Sequence, residues 1–198
     1  MTKIKEIIIG TNNNGKYKEI SDLLPKNIKK HSPIDFNIKS PEESGKTFKD
    51  NSLIKAAYFS KKTNLICISD DSGLEVDLLS SKPGIHSARW GGSESNFDLA
   101  IKKVLYEIKK IKKNRTQNEI TARFVCSLTI YWPEGKNHTS QGVINGTISE
   151  KAKGKKGFGY DPIFIPNGFK NTFGEMDRKK KMLIDHRSKA YTQLKKFI

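Results

Sequence analysis

The chain has 198 residues, enough to bury a sizeable core as one domain or as two closely joined lobes. With 35% hydrophobic and 29% charged residues, and no apolar run approaching the length of a membrane span, it reads as a folded soluble protein with no membrane partner. A formal net charge of +16, from 37 Lys+Arg against 21 Asp+Glu, points toward a polyanionic partner without saying which one.

Part of that excess sits on Lys102, Lys103, Lys109, Lys110, Lys112 and Lys113, where a solvated helix face explains it. The two cysteines, Cys67 and Cys126, lie inside apolar strand-like segments without metal-ligand spacing. They read as reduced core residues of a cytoplasmic protein, and the chain is expected to enter its first strand without a leader segment.

Taken in order, Ile4 to Ile9 is an apolar strand that ends in Gly10-Thr11-Asn12-Asn13-Asn14-Gly15-Lys16. Tyr17, Ile20, Leu23 and Leu24 then recur at helical spacing until Pro25 closes the region. Strand, polar loop and helix start make an anion site out of free amides and a nearby lysine, although a capped connection looks the same. It is not a P-loop, because Tyr17 stands where the magnesium-binding hydroxyl belongs.

A polar connection leads to Phe36-Asn37-Ile38, a short strand candidate. Asp50 or Asn51 can then cap a helix with the apolar face Leu53, Ile54, Ala57 and Tyr58, which leaves Lys55 on one flank.

Leu65 to Ile68 reads as a buried strand that delivers Ser69-Asp70-Asp71-Ser72-Gly73-Leu74 at its carboxyl end, followed by a second strand from Leu74 to Leu79. Two readings stay open for this hairpin-like junction. One of the carboxylates can hold a divalent cation or activate water, or the pair can simply shape an Asx turn.

Lys82 to Gly92 is a long loop in which Arg89 beside Trp90 can clamp a phosphate or lie on the surface. Phe97, Ile101, Val104, Leu105, Ile108 and Ile111 mark the clearest amphipathic helix, ending in the solvated loop Lys112-Lys113-Asn114-Arg115. Ile120 to Trp132 is a central strand, and Gln141 to Ile148 its antiparallel partner, so a mixed sheet is expected. Phe158-Gly159-Tyr160-Asp161-Pro162 offers either a stacking surface for a planar ligand or an ordinary aromatic turn. A terminal helical region from Asp177 carries Lys181, His186, Arg187 and Ala190.

In combination these stretches resemble the inosine triphosphate pyrophosphatase family, which hydrolyses non-standard purine nucleoside triphosphates such as ITP, dITP and XTP. The matching segments are Thr11-x-Asn13-x-x-Lys16, Glu43-x-Gly45-x-Thr47-Phe48-x-x-Asn51 with Lys55, Ser69 to Leu74, Pro83-Gly84-Ile85-x-Ser87-Ala88-Arg89, Phe158 to Pro162 with Phe164, and Thr172-Phe173-x-Glu175-Met176 with Lys181, His186 and Arg187. They follow one another over nearly the whole chain.

The resemblance implies Mg2+-dependent cleavage between the α- and β-phosphates, giving a monophosphate and pyrophosphate. It implies Lys16, Lys55 and Arg89 as phosphate holders assisted by Thr11, Asn12, Asn13, Asn14, Gly15 and Ser72, with Glu43 and Asp71 as metal carboxylates. Asp71 is also implied as the general base. Base selection falls to Phe158, Gly159, Tyr160, Asp161, Lys181, His186 and Arg187.

Two departures from the family pattern stand out: Asp50-Asn51-Ser52, where Glu-Asn-Ala is usual, and Met182-Leu183-Ile184-Asp185 between Lys181 and His186. The expected architecture is a single α/β domain over residues 1–198, an elongated mixed β-sheet with flanking helices and two lobes around a central nucleotide cleft. A homodimer in the cytoplasm is also implied, acting on nucleotide pools and holding no stable nucleic acid. The rival readings are a basic nucleic-acid-binding protein and a related pyrophosphatase for modified pyrimidine or methylated triphosphates.

Overall fold

The computed structural model describes residues 4–92, 96–112 and 120–198. A seven-stranded mixed sheet runs in the order β2-β1-β3-β5-β6-β7, with β4 paired to β3. Its strands are β1 (Glu6–Ile9), β2 (Lys29–His31), β3 (Cys67–Val76), β4 (Lys82–Pro83), β5 (Thr121–Tyr131), β6 (Asn137–Ile148) and β7 (Phe164–Pro166). The helices are α1 (Asn14–Leu23), α2 (Phe48–Thr63), α3 (Phe97–Lys112), α4 (Arg178–Met182) and α5 (His186–Leu194). This is the mixed α/β class that the sequence predicts.

β1 pairs in parallel with β2 and β3, while β3–β4 and β6–β7 are antiparallel. β5 and β6 form a hairpin: Trp132 N donates to Lys136 O at the turn, and Ile148 N donates to Ile120 O at the far end.

The chain divides into two compact units. One comprises the chain up to Asp71, Cys126–Gly142 and His186–Ile198; the other comprises Ser72–Val125 and Val143–Asp185. In the first unit, Ile7 and Ile9 face one apolar cluster with Ile20, Leu24, Ile68, Leu128, Ile130, Ala190 and Leu194, whereas Ile8 faces another with Ala56, Phe59, Cys67 and Tyr131. The alternation follows from the two-residue period of a strand. Helices thus cover β1 on both sides, which is why its sequence is continuously apolar. Fully burying each of these isoleucines contributes about 1.5–3 kcal/mol. In the second unit α3 lays Ala100, Ile101, Val104 and Ile108 against Leu74, Val76, Phe124, Phe164 and Phe173.

Four local features differ from the sequence expectations. The stretch expected as a strand at Phe36-Asn37-Ile38 is instead a 3-10 turn over Pro33–Phe36, closed by Asn37 in the left-handed region, because Pro33 starts a turn and Asp35 accepts from Ser32 N at 2.8 Å. The nearby strand is β2.

The hairpin-like junction at Asp70-Asp71 is absent, because β3 runs unbroken through both carboxylates. Polar partners stabilise them inside the strand. α2 is capped by Thr47, with Asp50 closing a capping box at 3.1 Å in each direction, so Asp50 is exposed and occupied at the helix start. Finally, α2 buries Phe48, Asn51, Ser52, Lys55, Ala56, Phe59 and Ser60, so Lys55 lies on the inner face and not on a flank. The loop expected after α3 falls, from residue 113, outside the described residues.

Candidate active site

Register sets the first half of the site. Ile9 lies opposite Ile68, Gly10 N donates to Ile68 O at 2.8 Å, and the Ser69 hydroxyl donates to Gly10 O at 2.7 Å. The loop after β1 is therefore tied to the strand that carries Asp70 and Asp71. Gly10 is required for this approach, since a Cβ there would lie 2.8 Å from both Cys67 Sγ and Phe59 Cδ2. Asn13 caps α1 by accepting from Lys16 N at 3.0 Å, and the Thr11 hydroxyl accepts from Asn13 N at 3.1 Å. Asn14 and Gly15 open the helix, so their amides face outward from its positive end. Asn12 donates to the Ser40 hydroxyl at 3.1 Å.

Lys16 reaches back to the strand, with its Nζ 3.5 Å from Asp70 Oδ2 and 4.0 Å from Asp71 Oδ1. Lys55 approaches from α2: its Nζ is paired with Glu43 and lies 3.7 Å from Asp71 Oδ1. One turn earlier, Asn51 donates to Asp71 Oδ2 at 3.1 Å while its own oxygen accepts from Gly45 N at 2.8 Å, pinning the segment that carries Glu43. Asp70 faces the opposite way and accepts from Arg187 Nη2 at 2.9 Å and Nε at 3.4 Å. Arg187 also pairs with Glu19. The adjacent aspartates share Lys16 but otherwise divide their partners, Arg187 going to Asp70 and Asn51 to Asp71, as the alternation of a strand allows.

The two carboxylates titrate in opposite directions. Burial works against ionisation of Asp70, but Lys16, Arg187 and Lys55 more than offset it and hold its carboxyl well below the usual range. For Asp71, burial prevails over Lys55 and Lys16, helped by repulsion from Glu43 and Asp70, and its pKa is raised. Burial alone would lower Lys55, yet Asp71, Glu43 and Asp70 raise it, so its ammonium is charged at neutral pH.

Oxygen donors are what Mg2+ selects, and Glu43 and Asp71 both meet the Lys55 ammonium. Among the described residues no group of three or more His, Cys, Asp or Glu side chains gathers as a self-contained metal cage. Two carboxylates suit an ion that completes its shell with water and substrate phosphate.

The second unit carries the remaining residues. Lys181 is buried, donates to Asp161 Oδ2 at 2.6 Å, and stands 5.2 Å from the Phe158 ring centroid and 5.3 Å from that of Phe173. The same Asp161 oxygen accepts from Phe158 N at 2.9 Å. Gly159 has φ +65° beside this turn, and Tyr160, buried against Phe97, donates to Ser87 O at 2.8 Å. Burial raises the Tyr160 phenol above its ordinary value. Arg89 is exposed at the end of the 3-10 turn Gly84–Arg89, and Ser72 continues β3 into this unit.

The structure therefore gathers Lys16, Glu43, Lys55, Asp71 and the Thr11–Gly15 loop within the first unit, and Phe158, Gly159, Tyr160, Asp161 and Lys181 within the second. His186 and Arg187 are buried at the start of α5, in the first unit.

Sequence reasoning singled out neither Glu19 nor Asn51 as a site residue. Glu19 sits three residues after Lys16 and beside Ile20, so a carboxylate on the inner face of α1 was its signal. A buried chain of hydroxyls was also missed: Ser52 lies 3.1 Å from Ser127 and 2.8 Å from Thr129, which lies 2.8 Å from Thr139.

A mixed α/β sheet with buried lysines and oxygen donors beside a capped helix start defines the class, an α/β protein with the side-chain set of an anion-accepting site. The chain belongs to the Ham1 family, which matches residues 7–197. It is 40% identical over 190 residues to a dITP/XTP pyrophosphatase of Rhodospirillum centenum, covering 95% of this chain and 92% of that one. It is 39% identical to the dITP/XTP pyrophosphatase of Bacillus subtilis, covering 100% and 99%. Among solved structures, a HAM1 protein from Coxiella burnetii superposes with a TM-score of 0.84 at 34% identity, covering 96% of each chain. The Staphylococcus aureus Ham1 protein gives 0.81 at 33% identity, covering 98% and 97%.

Proposed function

We propose that the chain is a Mg2+-dependent pyrophosphatase for non-standard purine nucleoside triphosphates, converting ITP, dITP and XTP to the monophosphate and pyrophosphate. The observation that carries this reading is Asp71, a buried carboxylate of raised pKa that faces the ammonium groups of Lys16 and Lys55. The names of the relatives support dITP and XTP as substrates.

A triphosphate brings about four negative charges, which Lys16, Lys55 and Arg89 neutralise together with the amides of Asn12, Asn14 and Gly15 and the Ser72 hydroxyl, while Thr11 and Asn13, whose amides donate within the loop, hold its shape. Glu43 and Asp71 are the carboxylates that would hold the cation, which, when bound, supplies charge neutralisation at the phosphates. A water molecule attacks the α-phosphorus, its proton passes to Asp71, and the bond to the bridging oxygen breaks with pyrophosphate as leaving group. Asn51 orients the Asp71 carboxylate through Oδ2 for this proton transfer.

Base recognition is assigned to Phe158, Gly159, Tyr160, Asp161, Lys181 and His186; Arg187, which the resemblance also implies there, is buried and held by Asp70 and Glu19, so its part is to support the site. Hypoxanthine and xanthine present a 6-oxo acceptor where adenine presents an amino donor, so cationic donors favour the former and leave adenine mispaired. Guanine shares the 6-oxo group and must be rejected at its 2-amino group. We further read the two units as one catalytic domain that acts as a homodimer in the cytoplasm and holds no stable nucleic acid. The test is pyrophosphate release from dITP, XTP and ITP against ATP and GTP, with Mg2+ and with chelator; equal rates on all five would overturn the specificity.

A further inference from the structure

Arg187 is 1% exposed, and its guanidinium is shared between two carboxylates that lie far from it in sequence, Asp70 on β3 and Glu19 on α1. Glu19 is itself only 9% exposed. Burying a carboxylate is unfavourable unless a partner compensates, so a Glu in the inner face of α1 needs a reason. The planar guanidinium supplies one, because its donors point along fixed directions: Nη1 meets Glu19, while Nη2 and Nε meet Asp70.

The sharing also has an electrostatic consequence. Arg187 divides its guanidinium between Glu19 and Asp70, and the same Asp70 oxygen that it meets attracts the Lys16 ammonium 3.5 Å away.

From this geometry we propose that Glu19 is a positioning residue for Lys16, acting through Arg187 and Asp70, in the triphosphate reaction proposed above. Lys16 and Glu19 lie one turn apart on α1, so the helix that carries the phosphate-holding lysine also carries the carboxylate that sets its counter-charge. Without Glu19, the guanidinium closes fully on Asp70, Asp70 releases Lys16, and the ammonium leaves its place beside Asp71. The Glu43–Lys55 pair is untouched by this change.

The experiment is a double-mutant cycle on the full chain with E19Q, K16A and the double variant. Two readouts are taken: kcat and KM for pyrophosphate release from dITP, and the dissociation constant for inorganic tripolyphosphate without metal. E19Q should lower kcat/KM on the order of tenfold, chiefly through KM, and weaken tripolyphosphate by a similar factor. In the K16A background it should change neither. The same loss in both backgrounds would show that Glu19 supports only the fold, and would overturn the proposal; so would no loss in either.

If E19Q does not fold, E19D, which keeps the charge at a shorter reach, takes its place in the cycle. A parent that binds tripolyphosphate with the predicted coupling but cleaves no triphosphate would sink the reaction and leave the positioning intact. A parent that cleaves dITP but shows additive variants would do the reverse. A parent that neither binds nor cleaves overturns both.

Discussion

Lys55→Met removes a buried cation while keeping its aliphatic bulk, and its cost can be worked from the geometry. The ammonium is 3.7 Å from Asp71 Oδ1, a separation at which opposite charges attract by roughly 4 kcal/mol at an effective dielectric constant of about 20. Desolvating the lysine offsets part of this in the parent, but in the variant Asp71 and Glu43 face each other without it. Removing one member of a buried pair typically costs about 3–5 kcal/mol. We expect about 3 kcal/mol, because Glu43 retains some solvent contact.

For a chain of this size that lowers Tm by roughly 6–12 °C. The raised pKa of Lys55 fixes the sign with pH: its stabilisation is fully present at neutral pH and is lost only as pH rises through the raised value. The melting deficit of the variant should therefore be constant between pH 6 and 9, by calorimetry or circular dichroism. Loss of a charged phosphate contact should also raise KM for dITP by roughly tenfold to a hundredfold. A variant with unchanged Tm and KM would refute the reasoning and make Lys55 an ordinary helix lysine.

Three further outcomes follow from the same geometry. Asp71→Asn should lower kcat by roughly 10²–10⁴-fold with native circular dichroism, and activity within about tenfold of the parent would remove Asp71 as base. Asn51→Asp replaces the donor to Asp71 Oδ2 by a second carboxylate and should destabilise by about 2 kcal/mol; an unchanged melting curve would contradict the assigned contact. Tyr160 has a pKa raised by burial, so its contribution to stability is intact below its ordinary value of about 10 and is lost as pH rises beyond it. Tyr160→Phe should cost about 1 kcal/mol at pH 7 through the Ser87 contact and flatten the alkaline decline seen in denaturant titrations; an equally steep decline would show that another group causes it.

The fold was legible where burial is apolar. Ile7 to Ile9 and the three- and four-residue spacing on α3 lead directly to a covered strand and an amphipathic helix. Hydrophobic periodicity failed on α2, where the face it discounts contains Asn51, Ser52 and Lys55, all buried. Their partners are Asp71, Glu43, Ser127 and Thr129, distant in sequence, and no local pattern announces them.

β3 misled for the same reason. Asp70-Asp71-Ser72-Gly73 has the composition of a turn, yet Arg187, Lys16, Lys55 and Asn51 supply partners that let an extended strand carry two carboxylates inward. The motif order did identify the stretches that carry charge. It did not indicate that Glu19 shares Arg187 with Asp70, which depends on a pairing 168 residues apart in the chain.

The most direct measurement is the rate of pyrophosphate release from dITP and XTP beside ATP and GTP, with Mg2+ and again with excess chelator. The account predicts fast release from dITP and XTP, slow release from ATP and GTP, and none with chelator. Release of orthophosphate instead, or turnover that chelator leaves unchanged, would contradict it.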